Sequence, residues 1–345
     1  MRAMASRTDA HMMQRALDLA SQGLGLTSPN PAVGAVLAVG DRILSEGFHR
    51  KAGGPHAEIE ALRAAPADIP NDTTLYVTLE PCSTQGKTPP CTDAILEAGI
   101  RRVVFGASDP TSANASRAKA ILEAKGVEVT AGVLGDECQH LNRAWNKWVT
   151  TGIPYLFAKY AMTLDGRIRT PPARSREISS PASHDDAMQL RAKVDAILVG
   201  AETIRTDNPR LTVRNGREHS QPLRVVLTRS GNLPRDAIIF TDEYKDRTRI
   251  FTNTPLLEVL RTLGSENVTS ILLEGGGQLT GDAFDQQLID ELVAYLCPTF
   301  LAGPTPAIGG IGIPANNLRA TLLNPGFQTI QNDLRIQGQL SYPKD

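Results

Sequence analysis

The sequence predicts two α/β domains in tandem, on three observations. The chain has 345 residues, well above the roughly 100 to 200 that make one domain. Short apolar, β-branched runs alternate with segments of helical period, the pattern of sheets covered by helices. The alternation stops at Thr150-Thr151-Gly152-Ile153-Pro154 and then restarts, so a Gly/Pro break separates residues 1–150 from residues 151–345.

The elements follow in order. Behind Asp9, the residues Met12, Met13, Ala16, Leu17 and Ala20 recur at helical spacing and stop at Gly23, which predicts a capped amphipathic helix. Ala32 to Val39 is an apolar run that Gly40-Asp41 turns into a second run ending near Phe48, a hairpin. Then come a helix from His56 to Ala65, a strand Thr74 to Leu79, a helix Thr92 to Ala98 and a strand Arg102 to Phe105. A helix Arg117 to Lys125, a strand Val127 to Val129 and a helix Glu137 to Trp148 complete the first half. The second half reads as strands Tyr155 to Ala161, Ala196 to Val199, Arg224 to Leu227, Arg249 to Phe251, Thr269 to Leu273 and Glu291 to Leu301. Helices are expected at Asp185 to Ala192, at Pro255 to Leu263 and after Gly275-Gly276-Gly277, and Gly303 to Pro314 reads as a surface loop.

Composition excludes several functions. Lys+Arg number 36 against Asp+Glu 37, a net charge of -1, so there is no basic field for non-specific nucleic-acid binding. Hydrophobic residues at 41% and charged residues at 21% describe a folding globular chain rather than a disordered one. No apolar stretch reaches the roughly 18 residues of a membrane span, and the N-terminus has no signal-peptide core, so a cytoplasmic protein without membrane contact is expected. A homo-oligomer is compatible with all of this. Four cysteines, Cys82, Cys91, Cys138 and Cys297, are in a reducing compartment metal-binding, catalytic or buried rather than disulfide-bonded. Cys138, Cys297, Trp145 and Trp148 carry no motif and read as packing, and His11, His140, His184 and His219 as structural or exposed.

Cys82 and Cys91 are different. His56-Ala57-Glu58 opens a helix, Pro81-Cys82 follows a strand, and Cys91 ends the loop Ser83 to Pro90. A lone His at a helix start is usually a polar cap and a pair of cysteines is usually core. Together they supply three zinc ligands and leave a fourth tetrahedral position for water, as a catalytic zinc requires. Zinc lowers the pKa of that water, the resulting hydroxide attacks an amidine-like carbon, and a carboxylate that is not a ligand moves protons to the leaving ammonia. Glu58 is placed for that role. The usual short form has two residues between the cysteines, whereas eight intervene here.

These words, with Asn30-Pro31-Ala32-Val33-Gly34, Gly47-Phe48-His49 and Thr88-Pro89-Pro90-Cys91, resemble a bifunctional family of riboflavin biosynthesis. Its members fuse a diaminohydroxyphosphoribosylaminopyrimidine deaminase to an aminouracil phosphoribosyl reductase. The second half resembles the reductase in Lys159, Thr163-Leu164-Asp165-Gly166-Arg167, Leu190-Arg191-Ala192, the run Thr203 to Arg214, and Glu274-Gly275-Gly276-Gly277. The resemblance implies a cytidine-deaminase-like three-layer domain at 1–150 and a dihydrofolate-reductase-like α/β domain at 151–345. It implies zinc and NADPH as cofactors and a small phosphorylated pyrimidine as substrate, deaminated and then reduced from ribosyl to ribityl.

Residue by residue, it carries substrate binding in the deaminase to Asn30, His49, Lys87 and Asp109. Cofactor binding in the reductase falls on Ala161, Thr203, Asp207, Gly275, Gly276 and Gly277, and substrate binding on Lys159, Ser175, Arg191, Leu211, Arg214 and Glu274. No Gly-x-Gly-x-x-Gly follows the first strand of that half. Gly275 to Gly277 instead offers bare backbone amides at a helix N-terminus to a pyrophosphate, and arginine suits a phosphate. No residue stands out as proton donor for the reduction.

The chain departs from the family at Thr84, often a His, at Thr111-Ser112 and Ala115 to Ala118, and at Glu177, where an aromatic residue is common. The competing readings are a nucleoside or tRNA deaminase, which needs neither the second half nor the long Thr-Pro-Pro-Cys loop, and a reductase carrying an idle deaminase domain.

Overall fold

A computed structural model describes residues 6–84, 89–111, 116–168, 178–214, 221–313 and 319–343. The chain divides into two compact units, Met1–Gly152 and Ile153–Asp345.

The first unit runs α1 (Arg7–Ser21), β1 (Gly34–Val39), β2 (Arg42–Phe48), α2 (Ala57–Arg63), β3 (Thr74–Leu79), α3 (Cys91–Glu97), β4 (Arg102–Ala107), α4 (Arg117–Ala124), β5 (Glu128–Ala131), α5 (Gly135–Leu141) and α6 (Arg143–Thr151). Its sheet has the order β2-β1-β3-β4-β5, with β1 antiparallel to β2 and β3, and β3, β4 and β5 parallel. Strand residues alternate between two cores, as a period of two dictates. Ala35, Leu37, Leu75 and Val77 pack on α2, α3 and α4, while Val36, Ala38, Tyr76 and Val104 pack on α1 and α5. The unit is therefore three-layered.

Ser6 caps α1 in a reciprocal pair with Asp9, whose side chain also accepts from Tyr76 and Arg102 and so pins the helix to β3 and β4. The expected helix at Glu137 to Trp148 is two helices. Asn142 interrupts it because its buried amide exchanges hydrogen bonds with Ala32, Nδ2 donating at 2.8 Å and Oδ1 accepting at 2.9 Å.

The second unit runs β6 (Tyr155–Thr163), α7 (Pro181–Arg191), β7 (Ala196–Gly200), α8 (Ala201–Asp207), β8 (Leu223–Thr228), α9 (Ile238–Thr241), a 3-10 turn (Lys245–Arg247), β9 (Thr248–Thr252), α10 (Leu256–Ser265), β10 (Ser270–Leu273), α11 (Gly277–Asp285), β11 (Glu291–Cys297), β12 (Thr321–Ile330) and β13 (Asp333–Ser341). The sheet order is β12-β13-β11-β6-β10-β7-β8-β9, parallel from β11 to β9. One face packs on α10 and α11 through Leu156, Leu198, Ile271, Val259 and Leu263. On the other, Ile197, Val199, Val226 and Leu272 meet α8 and α9, and Val293 and Tyr295 meet α7.

Four expectations change here. The strand expected to reach Leu301 ends at Cys297, where Pro298 removes the next ladder donor. Helix α8 occupies the segment read only as a binding word. Helix α7 begins at Pro181, where the Ser180 side chain accepts from Ser183 N. Strands β12 and β13 follow the expected loop; β12 is largely exposed on both faces, so it carries no alternation to read. Among the described residues, no helix is long and apolar enough to cross a membrane.

Candidate active sites

In the first unit, α2 and α3 begin side by side at the ends of two loops. His56 is the N-cap of α2 in extended geometry, and Cys91 opens α3. The ligand atoms of His56, Cys82 and Cys91 all lie within 4.8 Å of one another. His56 Nδ1 is 3.2 Å from Cys91 Sγ and 3.5 Å from Cys82 Sγ, close to the ~3.5 Å edge that tetrahedral zinc sets between imidazole and thiolate. Donor chemistry and spacing both fit zinc. The Cys91 thiol's hydrogen bond, then the His56 ring and the Cys91 amide, hold the Cys82 thiol down at about 4 against its burial.

Glu58, the second residue of α2, is 3% exposed, and burial pushes its carboxyl above the usual range. His49 is buried beside His56, the rings edge to face with centroids 5.8 Å apart. Its Nδ1 donates to the Pro55 carbonyl at 2.8 Å, so Nε2 accepts from Asn30 Nδ2 at 3.2 Å. Burial keeps this imidazole below its ordinary pKa and hence neutral. Asn30 is exposed and retains its amide oxygen for a ligand. Asp109 is buried, and its Oδ1 accepts from Thr111 N at 2.8 Å and Thr111 Oγ1 at 2.6 Å, so the Thr found at 111 secures the Asp109 turn. Lys87 lies outside the described residues.

In the second unit three of the residues expected to bind substrate, Lys159, Arg191 and Glu274, form one largely buried ion cluster. Arg191 Nε and Nη2 donate to the two oxygens of Glu274 at 2.6 and 2.8 Å, and Nη1 to the Thr212 carbonyl at 3.3 Å. Lys159 Nζ stands 3.9 Å from Glu274 Oε2 and 5.8 Å from the Tyr295 ring centroid. Burial would raise the Glu274 carboxyl, but Arg191 and Lys159 hold it at about 2; burial lowers Lys159 despite Glu274. Arg191 is thus an internal partner that fixes Glu274, and Lys159 is the looser cation. Leu211 is buried yet has φ +53, a left-handed backbone unusual for a branched residue. Arg214 is exposed, its Nη2 3.3 Å from His184 Nε2. Ser175 and Glu177 lie outside the described residues.

A separate cavity of about 920 Å³ opens at the carboxyl ends of β7, β8 and β9 and the start of α11, the edge where open parallel sheets bind ligands. Thr203, Asp207, Gly276 and Gly277 line it; Gly275 and Ala161 do not. Ala161 instead packs with Ala187, Val293 and Tyr295. Gly276 is the N-cap of α11 with no side-chain cap, and a Cβ there would meet open space. A Cβ on Gly277 would lie 2.2 Å from the Pro306 carbonyl oxygen. The two glycines therefore predict different defects. Gly277→Ala should destabilise the unit by about 1–3 kcal/mol through overpacking, seen in its thermal midpoint. Gly276→Ala should fold normally but weaken dinucleotide binding, seen by titration.

Sequence reasoning missed Arg229 and Asn253 to Leu256, which also line the cavity. They follow β8 and β9, and the rule that ligands sit beyond parallel strand ends would have found them once the strand order was known.

Residues 6–107 match the cytidine and deoxycytidylate deaminase zinc-binding region, and residues 154–335 the RibD C-terminal domain. Riboflavin biosynthesis protein RibD of Synechocystis is 37% identical, the alignment covering 96% of each chain. The chain belongs to the RibD family. The Escherichia coli RibD protein is 35% identical, over 85% of this chain and 88% of its own. Acinetobacter baumannii RibD superposes with a TM-score of 0.87 at 34% identity, covering 97% of this chain and 99% of that one. A Thermotoga maritima diaminohydroxyphosphoribosylaminopyrimidine deaminase/5-amino-6-(5-phosphoribosylamino)uracil reductase gives 0.85 at 32%, covering 96% and 98%. As a RibD protein the chain is a bifunctional deaminase/reductase of riboflavin biosynthesis, with a zinc-binding deaminase domain and an NADPH-dependent RibD reductase domain.

Proposed function

We propose that residues 1–150 deaminate the 2,5-diamino-6-ribosylamino-4(3H)-pyrimidinone 5′-phosphate and that residues 151–345 reduce the ribosyl chain of the product to ribityl. The reading rests above all on the His56, Cys82 and Cys91 ligand atoms converging within 4.8 Å beside buried Glu58. The substrate comes from the likeness to the Thermotoga maritima protein, a diaminohydroxyphosphoribosylaminopyrimidine deaminase by name.

His56, Cys82 and Cys91 would hold zinc, which when bound would supply a water of lowered pKa. Glu58 moves the protons, taking one as water adds to the amino-bearing carbon and delivering it to the nitrogen that leaves as ammonia. Asn30, aligned by His49, holds the base, and Asp109 and Lys87 complete the substrate pocket. In the reductase, NADPH when bound would supply the hydride that C1′ of the sugar takes up. Gly276 and Gly277 would hold its pyrophosphate at the start of α11, and Thr203 and Asp207, which line the same cavity, its nucleoside parts. Glu274, braced by Arg191, and Leu211 position the ribosyl group, while Ser175 and Arg214 take the phosphate. As the C1′–O4′ bond breaks, O4′ needs a proton, and Lys159 Nζ is a buried group able to give one.

The cluster sets a direct test. Purified protein should carry one zinc per chain, and Cys82→Ser and Cys91→Ser should each lose most of it by metal analysis. Full occupancy in both variants would remove these residues from the metal site. The small-molecule substrate leaves no role for nucleic acid or membrane in this reading, and the cytoplasm is the compartment it suits.

A further inference from the structure

Glu80 stands directly after β3, immediately before Pro81 and the metal ligand Cys82, and is 3% exposed. Its backbone is anchored to the neighbouring strand end, N donating to the Ala107 carbonyl at 2.8 Å. It is not one of the clustered ligands, and its carboxylate meets no cation among the described residues. Its Oε1 is buried without a hydrogen-bond partner among them. A buried carboxylate with no counter-charge costs stability, and a well-packed apolar side chain in its place costs less. Packing therefore does not account for Glu80.

Its other oxygen does. Glu80 Oε2 accepts from two backbone amides, Asp109 N at 3.4 Å and Ser116 N at 3.1 Å. These two residues flank residues 110–115 of the connection from β4 to α4. Asp109 follows the end of β4 at Ala107, and Ser116 is the N-cap of α4 with a left-handed φ of 59. A non-glycine residue in that region persists only where its surroundings fix it. One carboxylate oxygen thus closes the base of the connection, and Asp109 is held twice, its N by Glu80 and its Oδ1 by Thr111. Two residues after Glu80, the Cys82 carbonyl accepts from Thr92 N at 3.2 Å in α3. The same short segment therefore sets a zinc ligand and the turn that carries Asp109.

We propose that Glu80 is a positioning residue of the deaminase: it neither binds zinc nor moves protons, but fixes the Asp109 turn to the metal-bearing segment and so sets the affinity for the pyrimidine phosphate. The inference rests on Asp109 being a substrate residue.

Initial rates of ammonia release from the phosphorylated diaminopyrimidine by the full chain test it, with zinc content and reduction of the deaminated substrate measured on the same samples. Glu80→Met removes the accepting oxygen at similar length. Its KM should rise roughly 10- to 100-fold, the loss of charge-assisted hydrogen bonds. Its kcat should stay within about threefold of the wild type, the mark of lost binding rather than lost chemistry, with zinc and reduction undiminished. Glu80→Gln keeps an amide oxygen as acceptor and should hold KM within about threefold of the wild type. If the methionine variant loses zinc or its fold, Glu80→Asp decides on the same terms, because its carboxylate ends one methylene short of both amides and should raise KM. An unchanged KM in the deciding variant, a fall in kcat at unchanged KM, or a glutamine variant as impaired as the methionine one would overturn the role of Glu80. Asp109→Ala separates this from the reading beneath it. A raised KM there beside an unchanged one in Glu80→Met sinks Glu80 alone, whereas an unchanged KM in Asp109→Ala removes Asp109 from substrate binding, and the inference falls with it.

Discussion

Glu58→Gln should slow ammonia release roughly 10²–10⁴-fold, the range for loss of a positioned proton carrier, while zinc content and NADPH-dependent reduction stay at wild-type levels. The substitution keeps side-chain size at a position that is 3% exposed, so it opens no cavity. It leaves His56, Cys82 and Cys91 as they are, and none of the reductase cluster lies in its unit. What is lost is the exchangeable proton of a carboxyl, which an amide cannot take up and return. Ammonia release measured beside metal content decides the matter, and near-normal deamination with zinc bound would remove Glu58 from the chemistry.

Glu274→Gln should cost the second unit about 3–5 kcal/mol, as breaking one side of a buried ion pair does. Glu274 receives two hydrogen bonds from Arg191, itself 8% exposed, and faces Lys159 at 3.9 Å. The amide leaves two buried cations without a counter-charge. The pH dependence has a definite sign. A carboxyl lowered from 4.5 to about 2 on folding contributes stability that is whole above pH 4.5 and disappears as pH falls toward 2. The gap between wild type and Glu274→Gln in urea unfolding should therefore be full at pH 7 and shrink between pH 4.5 and 2. A gap under about 1 kcal/mol at pH 7 would make the pair no stronger than a surface one.

The deaminase unit was more legible than the reductase unit, for physical reasons. Strands β1, β3 and β4 are almost wholly buried on both faces and read as mainly apolar, β-branched runs, and the hairpin turn sits at Gly40 as the sequence marks it. The metal cluster was legible because zinc restricts ligand types so strongly that His-x-Glu and Pro-Cys carry meaning apart from the fold. In the reductase, Arg191 reads as a phosphate ligand only while its partner is unknown; Glu274 is 83 positions away. Arg229 carried no signal, since its meaning comes from strand order. The edge strand β12 was hidden because neither of its faces is buried. The break inside Glu137 to Trp148 depended on Asn142 meeting Ala32, 110 residues earlier, a contact no periodicity can show.

The central claim is that both chemical steps occur on this chain, in the order deamination then reduction. One measurement tests it most directly: ammonia release and NADPH oxidation followed together on the phosphorylated diaminopyrimidine in a single turnover. The account predicts that ammonia appears first, that each ammonia is matched by one NADPH oxidised, and that Glu58→Gln suppresses both signals from this substrate while still oxidising NADPH on the deaminated one. Ammonia release at the Glu58→Gln level in the wild-type protein, with zinc fully bound and reduction of the deaminated substrate intact, would contradict it.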